Sequence, residues 1–150
     1  MEIVQDADLA GFNISRFKGR WKSIEGQLDF FAQHWPTASE NNLSGNVTFE
    51  RPESSVWQLN GLALGKPFCV QASPIVIDEA EGPVLYAEII VSTPSIVNVG
   101  TMIELGRVRL NHHSAIFTTE GTKILGEHDD MASYKLLVSI TNLVLRAEVT

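Results

Sequence analysis

One cysteine in 150 residues rules out a fold stapled by internal disulfides. Cys69 is expected to be a reduced, buried small hydrophobe. It has no basic neighbour closer than Lys66, and no G-x-S-x-G is present, so nucleophilic catalysis has no local support. No glycine-rich loop has P-loop or dinucleotide spacing, and no cofactor is expected. His112-His113 and His128-Asp129-Asp130 lack H-x-H or C-x-x-C company, and adjacent histidines on a strand point to opposite faces, so no metal site is expected. Basic residues are scarce: Lys and Arg number 11 against 18 Asp and Glu, a net charge of −7 that argues against a nucleic-acid binder. Apolar runs such as Leu136 to Val138 fall far short of the roughly 20 residues of a membrane span. Met1 to Asp6 shows neither a charged n-region nor an apolar h-region, so a cytoplasmic protein is expected and the sequons at Asn13, Asn42 and Asn46 read as chance.

What is present suits an ordinary globular chain, with 44% hydrophobic and 19% charged residues. A single domain over residues 1–150 is expected, with 1–16 as an arm or lid whose first turn Asp6 could cap, and 17–150 as the core. Ile24, Leu28, Phe31 and Trp35 fall on one helical face, with Pro36 as a stop signal and Thr37 to Ser44 as a loop. Leu28, Phe30 and Ala32 also alternate as a strand would, and Gly26 weakens a helix, so Ser23 to Trp35 is open between helix and strand. From Gly45 the pattern is β. Strands are expected at 46–51, 56–62, 67–77, 83–93, 98–110, 114–118, 123–126 and 133–149, separated by short turn-forming segments. Such connections leave no room for crossover helices and predict a mainly β, antiparallel barrel of about eight strands. In the last of these segments the apolar phase slips by one residue at Thr141-Asn142, which in a strand requires a bulge or turn.

If Pro94 to Asn98 is a hairpin loop centred on Ile96, Glu88 lies directly opposite Glu104. Facing carboxylates, when buried, push one pKa upward and create a proton donor near neutral pH, so Glu88, Glu104 and the nearby Tyr86 are the catalytic candidates. Trp57, Phe68, Tyr86, Phe117 and Tyr134 are distributed one to a strand. They either fill a core or line a cavity, and Trp57, Phe68, Met102, Phe117 and Tyr134 are the ligand-binding candidates.

Phe17-Lys18-Gly19-Arg20-Trp21 resembles the G-x-W entry of lipocalins and related calycin barrels. The resemblance implies that Trp21 plugs the closed end of a barrel, that Gly19 lets the chain enter the sheet tightly, and that Arg146 packs on the Trp21 indole. The helical spacing after Trp21 competes with it and makes an α+β roll, one helix on a curved antiparallel sheet, the alternative fold.

Three functions are therefore weighed. The first is a carrier that encloses a small hydrophobic ligand in the barrel. The second is a cofactor-independent cyclase or isomerase, as in natural-product (polyketide) biosynthesis, acting on a hydrophobic substrate by shape and acid/base groups. The third is an acidic inhibitor or immunity-type module that meets a basic partner. A homo-oligomer is compatible with each.

Overall fold

A computed structural model describes residues 1–148. Asp6 caps the first helix as its position suggests, its Oδ1 accepting the Leu9 N–H at 3.0 Å. That helix, α1, runs over Ala7–Asn42, 36 residues or about 54 Å. It absorbs the whole Phe17–Trp21 run, so the G-x-W stretch is mid-helix and enters no strand. A Cβ on Gly19 would meet nothing within 4 Å, and that glycine relieves no crowding. Trp21 is half-buried against the core, while Arg146 bonds to Asn142 one turn back in the last helix. Among the described residues arginine stacks on Phe17 and Trp57, through Arg16 and Arg51, and not on Trp21. The barrel-plug role expected of Trp21 and Arg146 is thus corrected.

Ile24, Leu28, Phe31 and Trp35 are all buried, as the helical spacing required. Pro36 does not end the helix, and Thr37 to Asn42 are helical where a loop was expected. Its ring faces solvent and removes one backbone donor, but Ala38 and Ser39 beyond it are buried. The Ser39 hydroxyl donates to the Val47 carbonyl at 2.6 Å and accepts the Val47 N–H at 3.1 Å, tying the helix end to the first strand. Tertiary anchoring outweighs the lost bond.

Seven strands follow: β1 (Val47–Glu50), β2 (Trp57–Ala63), β3 (Lys66–Glu79), β4 (Gly82–Pro94), β5 (Met102–Leu110), β6 (Ile116–Phe117) and β7 (Lys123–Leu125). Each pairs antiparallel with its sequence neighbour in one curled sheet. The sheet is open, with β1 and β7 as edges, so the closed eight-stranded barrel is replaced by an α+β arrangement close to the alternative fold. The expected eighth strand is a helix, α2 (Ala132–Arg146), and Val149, assigned to that strand, lies outside the described residues. The phase slip at Thr141-Asn142 is the helical period itself: Ser133, Leu136, Leu137, Ile140 and Val144 form one buried face. Among the described residues no helix is long and apolar enough to cross a membrane.

Both helices cover one face of the sheet. Leu59, Val70, Leu85, Ala87, Ile89, Val91 and Leu110 alternate onto it and bury against Ile24, Leu28, Leu137 and Val144. An aromatic series crosses this layer: Phe31 stacks on Trp35 at 5.3 Å, Trp35 meets Phe49 at 5.8 Å, and Phe49 meets Phe68 edge-on at 6.0 Å. The Trp35 indole N–H donates to the Ser133 carbonyl at 3.0 Å, fastening α1 to the start of α2.

Candidate functional site on the free face of the sheet

The side chains that alternate away from the helices form a second, uncovered face. At one end it holds a hollow of about 660 Å³ lined from five successive strands, β1 to β5. Leu62, Pro67, Cys69, Pro94 and Met102 supply its apolar part, and Thr48, Gln58, Asn60, Gln71 and Ser92 its polar part. The amides are ordered among themselves: Gln71 donates to Gln58 at 3.0 Å and Gln58 to Asn60 at 2.9 Å. Cys69 is free and buried in the hollow's lining; burial pushes its thiol up, so at neutral pH it is a protonated apolar group.

Exposed aliphatics gather at the same end of the sheet. The β4–β5 loop between Pro94 and Met102 carries Ile96, Val97 and Val99, all at least 66% exposed. The two-residue β2–β3 turn is Leu64-Gly65, with both residues at positive φ (50° and 83°). Leucine is poorly suited to that conformation, but the Leu64 N–H donates to the Asn46 carbonyl at 2.9 Å, and its 67% exposed side chain borders a separate depression with Leu43, Val47 and Leu145.

Further along the free face lies a charged strip. Glu88 and Glu104 are brought together, but not as partners in register: Glu88 stands opposite Arg109, and Glu104 opposite Ser92. The hairpin loop is centred near Asn98, closed by Ser95 N–H to the Thr101 carbonyl at 2.8 Å and Asn98 N–H to the Ser95 hydroxyl at 3.0 Å. A bulge then adds Leu105 between the pairs Ser92–Glu104 and Val91–Gly106. Residues three apart in a regular strand point to opposite faces; the bulge puts Glu104 and Arg107 on the same one. The Arg107 guanidinium consequently bridges both carboxylates, to Glu88 through Nη1 and to Glu104 through Nη2 and Nε. Arg109 approaches Glu88 from the other side at 3.7 Å and donates to the Thr119 carbonyl at 3.0 Å. The facing-carboxylate register is therefore corrected: a cation lies between the two acids.

Hydrogen bonding to Arg107 holds the Glu104 carboxyl below its ordinary value. Stability from that pair is present above the ordinary carboxylate pKa and is lost as pH falls through the lowered one. In Arg107→Met the Glu104 carboxyl should titrate at or above the usual range in a carbon-detected NMR titration. An unmoved value would show that the guanidinium does not set it.

Tyr86 also lies on the free face. Its hydroxyl donates to Glu79 at 2.6 Å and its ring meets Phe117 edge-on at 5.7 Å. Burial, reinforced by Glu79, pushes the phenol up to about 12. The ligand-binding candidates are dispersed. Met102 lines the hollow; Phe117 lies beside Tyr86; Tyr134, on α2, faces a separate surface depression with Val108 and Leu125. Trp57 and Phe68 belong to the helix-covered side, though Phe68 also borders the hollow; the Trp57 indole donates to Asp29 of α1 at 3.1 Å. Sequence reasoning missed Cys69, Leu62, Pro67 and Pro94 as neighbours, and Arg107 as the bridge. The alternation of Gln58 and Asn60 against Trp57 and Leu59 was the one available signal for the polar wall. His112 accepts from Arg20 at 2.9 Å, which fixes the β5–β6 loop to α1.

The chain matches no family model, no curated protein and no solved structure.

Proposed function

We propose that this chain binds a small hydrophobic molecule with a hydrogen-bonding end, held in the hollow on the free face. The observation that carries the reading is the hollow itself, whose roughly 660 Å³ falls within the range of small-molecule sites. Its lining is divided: an apolar body would rest on Leu62, Pro67, Pro94 and Met102, and a polar end would meet the amides of Gln58, Asn60 and Gln71. A carrier of calycin type would hold such a ligand within a closed barrel. Here the hollow lies on the free face of an open sheet, and the exposed Ile96, Val97 and Val99 belong to the loop between Pro94 and Met102, which line it.

Titration with the neutral dye N-phenyl-1-naphthylamine, followed by native mass spectrometry with a lipophilic panel, tests the assignment. Met102→Glu, at a side chain 47% exposed, should leave the melting temperature close to that of the parent and weaken dye binding by about tenfold or more. Bound ligand should also slow alkylation of Cys69, the chain's one thiol. Dye binding equal in parent and variant, with Cys69 alkylation unchanged by ligand, would sink the reading.

A further inference from the structure

We infer that the N-terminal half of α1 is a self-association surface, on which a second copy of this chain docks its own α1 in antiparallel orientation. This half of the helix extends the buried seam beyond its cover. The seam runs at alternating spacings of four and three through Ala10, Ile14, Phe17, Trp21, Ile24, Leu28, Phe31 and Trp35. From Ile24 onward these residues are at most 2% exposed, whereas Ile14 is 69% exposed and Phe17 and Trp21 are only half-covered. Leu9 and Phe12 flank the bare stretch at 57% and 64% exposure. A solvated helix of this length would normally turn polar residues to water; this one keeps a wide apolar arc that, among the described residues, is covered only in part, at Phe17 and Trp21.

The distribution of charge selects the occupant. Asp6 and Asp8 occupy the first turns, and Arg16, Lys18, Arg20 and Lys22 follow. Such a segment is self-complementary only when reversed: in parallel, acid would face acid and base would face base. In an antiparallel pair with its twofold axis at Asn13, each position i faces 26 − i of the second copy. Asp6 then faces Arg20 and Leu9 faces Phe17. The positions 6, 9, 10, 13, 16, 17 and 20 share one side of the helix at the three-and-four spacing that helix pairs use. Both charged groups keep capacity for the new contact. The Asp6 carboxylate uses one oxygen on the Leu9 N–H, and Arg20 uses one nitrogen on His112.

Sedimentation equilibrium and light scattering on the full chain, from about 1 to 200 μM, should show a concentration-dependent dimer. Asp6→Arg and Arg20→Asp should each shift the midpoint of dimerisation to at least tenfold higher concentration, by placing like charges face to face. Mixing the two single variants should restore association as a heterodimer, because both facing pairs are then opposite in charge. Leu9→Glu should weaken association without a matching partner. Circular dichroism on every variant keeps loss of helix distinct from loss of association. A chain that stays monomeric to 200 μM overturns the proposal. So does a dimer indifferent to the single charge reversals, or a failure of the mixed variants to associate while remaining helical.

Discussion

Trp35→Ala is expected to destabilise the protein by about 3 to 5 kcal/mol, the range for deleting a fully buried large aromatic. At 1% exposure Trp35 stacks between Phe31 and Phe49, and its indole N–H is donated to the first turn of α2 at Ser133. Truncation opens a cavity and leaves the Ser133 carbonyl without that donor, so packing and hydrogen bonding are lost together. Urea unfolding followed by far-ultraviolet dichroism measures the effect. Trp35→Phe, which keeps most of the stack and loses only the donor, should lie between parent and alanine variant. A cost near 1 kcal/mol for the alanine variant would mean that the contact between α1 and α2 is dispensable.

Gly61→Ala should cost about 1 to 3 kcal/mol, the ordinary penalty of overpacking a closed core. A Cβ at that position would stand 2.3 Å from the Phe68 ring. The ring has little freedom to retreat, because Phe68 is 3% exposed and packs edge-on against Phe49. Gly61 and Phe68 face each other in register between β2 and β3, and both also border the hollow from behind. The double variant Gly61→Ala, Phe68→Leu should recover part of the lost stability, since the shorter side chain vacates the space above the glycine. If the single substitution leaves the unfolding midpoint unchanged, the ring does not sit over Gly61.

Much of the sheet was legible in the sequence. Turn-forming residues such as Gly65, Asp78-Glu79 and Glu120-Gly121 mark strand ends that the structure keeps within a few residues. The buried helical face of Ile24, Leu28, Phe31 and Trp35 was equally readable, because four large side chains at helical spacing outweigh one glycine. The helix beyond Pro36 was not. What holds it is the double hydrogen bond of Ser39 to Val47, a contact invisible until the strand is in place. The last element misled for a different reason. Tyr134, Leu136, Val138 and Ile140 alternate as a strand does, while its buried helical face begins with a serine and so carries a weak apolar signal. The charged strip was legible in membership and wrong in arrangement. Glu88 and Glu104 do meet, but a loop centred two residues later than expected and a one-residue bulge bring Arg107 between them. A slip of that size reverses which face every subsequent side chain of β5 occupies, and local sequence pattern carries no record of it.

The meander order of the sheet has a bearing on how the chain can be made. Every strand pairs with its immediate neighbour in sequence, so hairpins can zip as they emerge from synthesis, with short loops to close. The contact that completes the core is remote. Trp35 must find Ser133 across 98 residues, and among the described residues α2 is the element that follows the sheet. Until that helix is in place, the face of the sheet meant for the helices is only partly covered by α1, leaving Ile89 and Val91, which stand beside Leu136, Ile140 and Leu143, short of the cover that α2 provides. The nascent chain is therefore most prone to aggregate in the interval between completion of the hairpins and release of α2.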